Sequence, residues 1–286
     1  MAPEAFFLPA EHGQRFCLYY AARWRREGRA IRGAVLYVHP FAEEMNKTRH
    51  MAAQQARALA ATGFDVLQID LLGCGDSSGD FGDASWQDWV SDVVQGCHWL
   101  RSQATPHDNA ARPTALWLWG LRAGCLLAVA AASQLKESWD FLFWQPPRAG
   151  KALLQQFLRL KVAADLLDGQ GTGAMETLRQ QLADGASLEV GGYRLSSALA
   201  SGLEQALLVP PAGRAAPRRV EWFELSTRED AMVSPGSSKA IAQWQQAGVA
   251  LNSHVARGPA FWQTSELENA PALITASTTA LSRPNP

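Results

Sequence analysis

Trp119-Gly120-Leu121-Arg122-Ala123-Gly124 is the stretch on which the reading of this chain turns. An apolar run, Ala115 to Trp119, leads into it and an apolar helical pattern, Ala123 to Leu135, leads out. Two glycines flanking a single residue at such a strand-to-helix junction mark a turn too sharp to admit side chains on either side. The residue at the apex is an arginine. A guanidinium has five N–H donors, no free lone pair and no deprotonation near neutral pH, so it cannot attack a carbonyl as a serine hydroxyl or a thiolate would.

The elements around this turn repeat. Short alternating runs at Phe6 to Leu8 and Arg15 to Tyr20 predict an antiparallel start. From Ala34 the runs become continuously apolar, as strands buried on both faces require, and they alternate with helical patterns. Strands are expected at Ala34 to Val38, Val66 to Ile69, Ala115 to Trp119 and Phe141 to Trp144, with helices at Thr48 to Ala61, Trp86 to Arg101 and Ala123 to Leu135. The rhythm breaks over 147–217, where helical patterns at Lys151 to Leu167 and Met175 to Leu182 predict an inserted helical cap closing in Pro210-Pro211-Ala212-Gly213. It resumes with a strand at Arg219 to Leu225, a helix at Pro235 to Gln246, a strand at Ala250 to Val255 and a helix at Glu268 to Ser282, with a frayed end over Ser282 to Pro286. This order predicts an α/β protein with a doubly wound, mostly parallel sheet, its core divided into 1–146 and 218–286 by the cap.

Loops at the predicted strand ends carry α/β-hydrolase landmarks. His39-Pro40-Phe41 follows the third strand, where the Phe41 amide stands as an oxyanion-hole donor together with the Ala123 amide. Asp70-Leu71-Leu72-Gly73-Cys74-Gly75-Asp76-Ser77 has the D-x-x-G-x-G-x-S form. Asp230 occupies the acid position in Asp230-Ala231-Met232-Val233-Ser234-Pro235, where helix capping is the competing role. No histidine follows the last strand in Arg257 to Trp262, and His254 lies within that strand. Two of the three residues of a serine-hydrolase triad are therefore missing. Among substitutes, Cys74 on the glycine loop needs an electropositive setting to react, and His39 needs a carboxylate, Glu43 or Glu44, to act as a base.

A cation at a helix N-terminus needs acidic company, which Asp230, Glu43, Glu44 and Asp76 can supply from the same end of the sheet. Two arrangements follow: Arg122 neutralised by a carboxylate as a structural plug, or Arg122 joining the Phe41 and Ala123 amides in an anion receptor. Trp144, beside a strand end, is a further candidate binding residue, set against a role in the core. The Leu153, Leu154, Phe157 and Leu158 face of the cap is either docked on the core or offered to a protein partner.

Bulk properties narrow the setting. Twenty-six basic and twenty-seven acidic residues leave no electrostatic footprint for nucleic acid or an anionic membrane. Four scattered cysteines without a C-x-x-C pair read as free thiols of a reducing compartment. No apolar stretch reaches membrane-spanning length and Met1 to Pro9 has no signal-peptide form, so a cytoplasmic protein without cofactor or metal is expected.

Five blocks, His39 to Lys47, Gln68 to Ser77, Trp119 to Gly124, Trp144-Gln145-Pro146 and Phe261-Trp262-Gln263-Thr264, resemble the exosortase A system-associated hydrolase 2 family, a branch of the α/β-hydrolase superfamily related to serine aminopeptidase-like hydrolases. The resemblance spans nearly the whole chain. It implies a bacterial protein encoded with machinery for exopolysaccharide production and for sorting proteins with a C-terminal anchoring signal. The expectation is a protein that binds a small anionic, glycan- or lipid-linked ligand and does not cleave it. The alternative is an ester or amide hydrolase using the Phe41/Ala123 oxyanion hole and a water activated by His39 or an acid.

Overall fold

The computed structural model describes residues 2–104, 115–167, 174–211, 213, 216–264 and 266–283. Eight strands form one sheet: β1 (Glu4–Pro9), β2 (Gln14–Tyr20), β3 (Gly33–Val38), β4 (Phe64–Ile69), β5 (Ala115–Leu121), β6 (Asp140–Trp144), β9 (Arg219–Ser226) and β10 (Ala250–Arg257). Their spatial order is β1-β2-β4-β3-β5-β6-β9-β10. β1 and β2 are antiparallel, as is β2 to β4, and every later pairing is parallel. The predicted doubly wound sheet is therefore present. Only β2 runs against the rest.

Period-two alternation sends the side chains of each central strand into two separate apolar layers. In β3, Ala34, Leu36 and Val38 join one core, and Val35 and Tyr37 join the other. The first core lies under α3 (Trp86–Ala104), α4 (Ala123–Ala132) and α8 (Pro235–Gln246). The second lies under α2 (Glu43–Ala61) and α9 (Pro271–Ser282). A one-turn helix α1 (Arg23–Arg26) precedes β3. Most boundaries shift by a few residues from the sequence expectation, and two helix starts stand out. α2 begins at Glu43 and not Thr48, which places both glutamates in its first turn, and α9 begins at Pro271, whose fixed φ suits a first helical position. The expected fraying of the chain end falls largely on 284–286, outside the described residues.

Between β6 and β9 the chain leaves the sheet and forms α5 (Gly150–Leu167), α6 (Ala174–Ala183), β7 (Leu188–Val190), β8 (Tyr193–Leu195) and α7 (Ser197–Gln205). The sequence predicts a largely helical cap here and does not single out the hairpin. β7 and β8 pair as a hairpin because Leu188-Glu189-Val190 and Tyr193-Arg194-Leu195 alternate around Gly191-Gly192, both at positive φ, as a two-residue hairpin turn requires. Leu153, Leu154, Phe157 and Leu158 are buried in the α3/α4 core, so this face of α5 is docked on the body of the protein.

One buried ion pair ties the antiparallel entry strands to the site end of the sheet. Arg15 of β2 and Asp92 of α3 meet at 2.7 Å with side chains 2% and 4% exposed. Asp92 also accepts the Leu72 N–H at 2.8 Å, fixing the loop after β4. Burial pushes the Asp92 carboxyl up, and the hydrogen bonds from Arg15 and Leu72 oppose it. Asp92→Ala would leave a buried guanidinium without its carboxylate and an amide without its acceptor. It should cost about 3–5 kcal/mol in denaturant-induced unfolding, the range for breaking one partner of a buried pair.

Candidate functional site

The parallel strands bring the loops after β3, β4, β5, β6, β9 and β10 to one end of the sheet, where open α/β folds bind ligands. Three non-glycine residues at positive φ stand among the described residues there: Ala42, Arg122 and Gln145. Arg122 caps α4 at φ 54° and ψ −119°, and Ala42 caps α2 at φ 49° and ψ −126°. Each such conformation costs on the order of 1–3 kcal/mol and persists only when surrounding packing imposes it. For Arg122 that packing is visible. A Cβ on Gly120 would lie 2.6 Å from the backbone of Cys125, and one on Gly124 would overlap the carbonyl oxygen of Val38. The sharp turn predicted from the two glycines is thus built, with α4 pressed against the end of β3.

The Arg122 side chain turns back over the start of α2. Its Nε lies 3.2 Å and 3.4 Å from the two Glu44 carboxylate oxygens, and its Nη2 donates to Glu44 Oε1 at 3.1 Å and to Gln156 Oε1 of α5 at 3.0 Å. Its guanidinium carbon sits 5.6 Å from the ring centre of Trp262, in the loop after β10 where no histidine occurs. The Arg122 and Glu44 side chains are only 12% and 10% exposed. Burial raises the Glu44 carboxyl above the ordinary carboxylate range, and Arg122 and Lys47 pull the other way. Of the four acids predicted to accompany Arg122, Glu44 is the partner.

The remaining candidates fall into distinct surroundings. Asp230 is exposed and does not pair with Arg122, because the turn that carries it runs outward from the end of β9. Asp76 is exposed as well, and only its backbone N–H enters the loop network, donating to Asp70 at 3.2 Å. Asp70 is held by Arg49 at 2.9 Å, and Ser77 links the loop to β2 by accepting the Phe16 N–H at 2.9 Å. His39 is buried with both ring nitrogens engaged by backbone: Nδ1 lies 2.8 Å from the Pro40 carbonyl and Nε2 accepts the Leu71 N–H at 3.4 Å. Burial lowers its pKa, so the ring is neutral and committed to the backbone. Trp144 is fully buried in the α2/α9 core, where its indole N–H donates to Ser277 at 2.8 Å, and it faces no cleft. Burial pushes the thiols of Cys74 and Cys125 up, which removes both as thiolates. His254 lies beside Glu221 at 2.7 Å, stacked on Phe223.

Phe41, Glu43, Glu44, Leu153, Gln156 and Phe157 line a small cleft between α2 and α5. Phe41 packs against Phe157 and Trp89 with ring centres 5.1 Å and 5.8 Å apart, which anchors its loop. Among the described residues the Phe41 and Ala123 amides have no hydrogen-bond acceptor, so the two predicted oxyanion-hole donors are unspent. Gln156 went unpredicted, since its contact depends on how the insertion docks and no local pattern encodes that. Among the described residues no cluster of three or more histidine, cysteine or carboxylate side chains is placed to hold a metal, and no helix is long and apolar enough to cross a membrane.

Comparison with known proteins places this arrangement. Residues 29–167 match the family described as serine aminopeptidase, S33. No functionally curated protein matches the sequence. Solved structures similar to the chain include Est1E from Butyrivibrio proteoclasticus with bound ferulic acid, at 14% identity and TM-score 0.63, covering 97% of this chain and 96% of that one. A soluble variant of monoglyceride lipase from Saccharomyces cerevisiae aligns at 14% identity and TM-score 0.60, covering 98% and 94%. An α/β serine hydrolase without lid from Xanthomonas campestris aligns at 15% identity and TM-score 0.53, covering 98% and 92%. At such identities the likeness is one of fold, and with the strand order above it gives the conclusion that this chain has the α/β-hydrolase fold.

Proposed function

We propose that this protein binds its ligand and does not cleave it. The single observation that carries the reading is the Arg122 guanidinium at the apex of the strand-to-helix turn, paired with Glu44 where a hydrolase of this fold would hold its nucleophile. Hydrolysis by a water would need a base within reach of it, and His39 spends both nitrogens on backbone groups. The surviving donors, Phe41 and Ala123, can hold an oxygen without breaking a bond to it.

The ligand we infer is a glycan- or lipid-linked group seated at the cleft of Phe41, Glu43, Leu153, Gln156 and Phe157. Aromatic and aliphatic walls with a few polar groups suit such a ligand. A strongly anionic one is less favoured than the lone guanidinium suggests, because Glu44 already neutralises Arg122 and Glu43 adds negative charge at the mouth. The resemblance to exosortase A system-associated hydrolases points the same way, to service in bacterial exopolysaccharide production and protein sorting, and the free thiols of Cys17, Cys74, Cys97 and Cys125 support our placing the protein in the reducing cytoplasm.

Purified wild type, Arg122→Ser and Arg122→Ala should show no turnover on a broad panel of ester and amide substrates. Arg122→Ser stays inactive because the loop after β10 supplies no imidazole. Wild-type turnover well above both variants, with their folding intact, would overturn the reading. The pair itself should behave as a plug. Arg122→Met or Glu44→Leu alone should each cost about 1–3 kcal/mol in thermal or denaturant unfolding, and the double variant should recover most of the loss.

A further inference from the structure

Arg122 joins three separate parts of the fold beside the cleft: Glu44 of α2, Gln156 of α5 and the Trp262 ring. Glu44 and Gln156 line the cleft, as does Phe41. The unspent amides are those of Phe41, in the loop after β3, and of Ala123, the residue after Arg122. Glu43, the neighbouring carboxylate, lines the same cleft and, among the described residues, has no hydrogen bond or ion pair. Two carboxylates thus stand within one helical turn of each other, one occupied by the guanidinium and one vacant.

We propose that Arg122 is a two-position gate, closed on Glu44 and Gln156 and open when loss of the Glu44 charge sends the guanidinium out to Glu43 at the mouth of the cleft. The driving force is the cost of a desolvated charge. Once Glu44 is neutral, Arg122 keeps neutral acceptors on Glu44 and Gln156 and the Trp262 ring but no counter-charge, and a nearly buried guanidinium without one is expensive. Gln156 is exposed, so the path past it leads to water. Opening moves the guanidinium from the turn to the cleft and its Glu43 carboxylate, and the inference rests on the cleft being the ligand site.

The charged and titratable groups around Glu44 are few. Arg122 faces it from the turn, Glu43 and Lys47 come from its own helix, α5 contributes the neutral Gln156, and the loop after β10 contributes the uncharged Trp262. Tyr193, on β8, is influenced by Glu43 and has its phenol raised by burial. Because burial raises the Glu44 pKa, this carboxylate gives up its charge at a higher pH in the folded protein than in the unfolded chain. Its contribution to stability is full below the ordinary carboxylate value and is lost as pH rises through the raised one, so acid opens the gate without this group unfolding the protein. His39 has the opposite sign: its lowered pKa gives stability above the ordinary histidine value that is lost as pH falls.

The test reads Arg122 directly, with no ligand present. Intact protein is treated at one alkaline pH with phenylglyoxal, and modification of Arg122 is measured by peptide mass spectrometry against the exposed Arg159 and Arg228. Glu44→Gln should raise the relative rate at Arg122 severalfold, and Glu43→Gln in that background should change it again by removing the second position. In parallel, acrylamide quenching of Trp262, taken by difference with Trp262→Phe, should rise in wild type as pH falls and be independent of pH in Glu44→Gln. If Glu44→Gln does not fold, Gln156→Ala serves, with a smaller rise in Arg122 modification. Unchanged Arg122 reactivity in the folded variant, or quenching that follows pH equally in wild type and Glu44→Gln, overturns the gate. Neither outcome bears on turnover, so the gate and the non-catalytic reading fail separately.

Discussion

A guanidinium that has left water must find a negative charge, and much of the site end of this molecule is arranged around that requirement. Arg122 is placed by the turn between β5 and α4, where the chain has no freedom to move it. Its charge is met by Glu44 because α2 starts early, at Glu43, and sets its first turn opposite. A carboxylate near a helix N-terminus is favoured by the helix dipole, so Glu44 is drawn to this position by α2 as well as by Arg122. The same demand recruits Gln156 from the insertion, which makes the docking of α5 part of the electrostatic solution as well as the apolar one.

Three of the fold's other buried charges follow the same logic at a distance from the site. Asp92 holds Arg15, Asp65 receives Arg25 and the Ala22 N–H, and Glu221 gathers Arg219, Asn252 and His254. Burial acts to raise the Glu221 carboxyl, and the hydrogen bonds from His254, Asn252 and Arg219 outweigh it and hold the pKa low. Arg219 also donates to the Ala280 carbonyl at 2.7 Å and to that of Arg283 at 3.1 Å. The charge cluster beneath β9 therefore pins the end of α9, and α9 in turn covers Trp144.

The sheet was legible because its information is local and redundant. Continuous apolar runs such as Ala34 to Val38, separated by helical patterns, admit few architectures, and the glycines at 120 and 124 have a single steric reason to be there. The hairpin in the insertion was missed although Gly191-Gly192 announces it, since its strands of three residues are too short to stand out between helical patterns. At the site, the residue types were readable and their partners were not. Glu44 and Asp230 are equivalent acids in sequence. Only the early start of α2 and the outward turn after β9 separate them. Trp144 looked like a platform from its place at a strand end, but the parity of its position on β6 sends it to the opposite core.

The strained backbone at Arg122 presents no nucleophile. In a serine hydrolase the same left-handed turn is credited with presenting the attacking hydroxyl. Here the conformation is kept to within a few degrees of the one at Ala42, a residue with no reactive group at all. Both positions lie where a central strand hands over to a helix that must fold back at once onto its neighbour. The turn is in that sense architectural, a joint that the layered sheet imposes on whatever residue occupies it, and reactivity is a use to which the joint can be put.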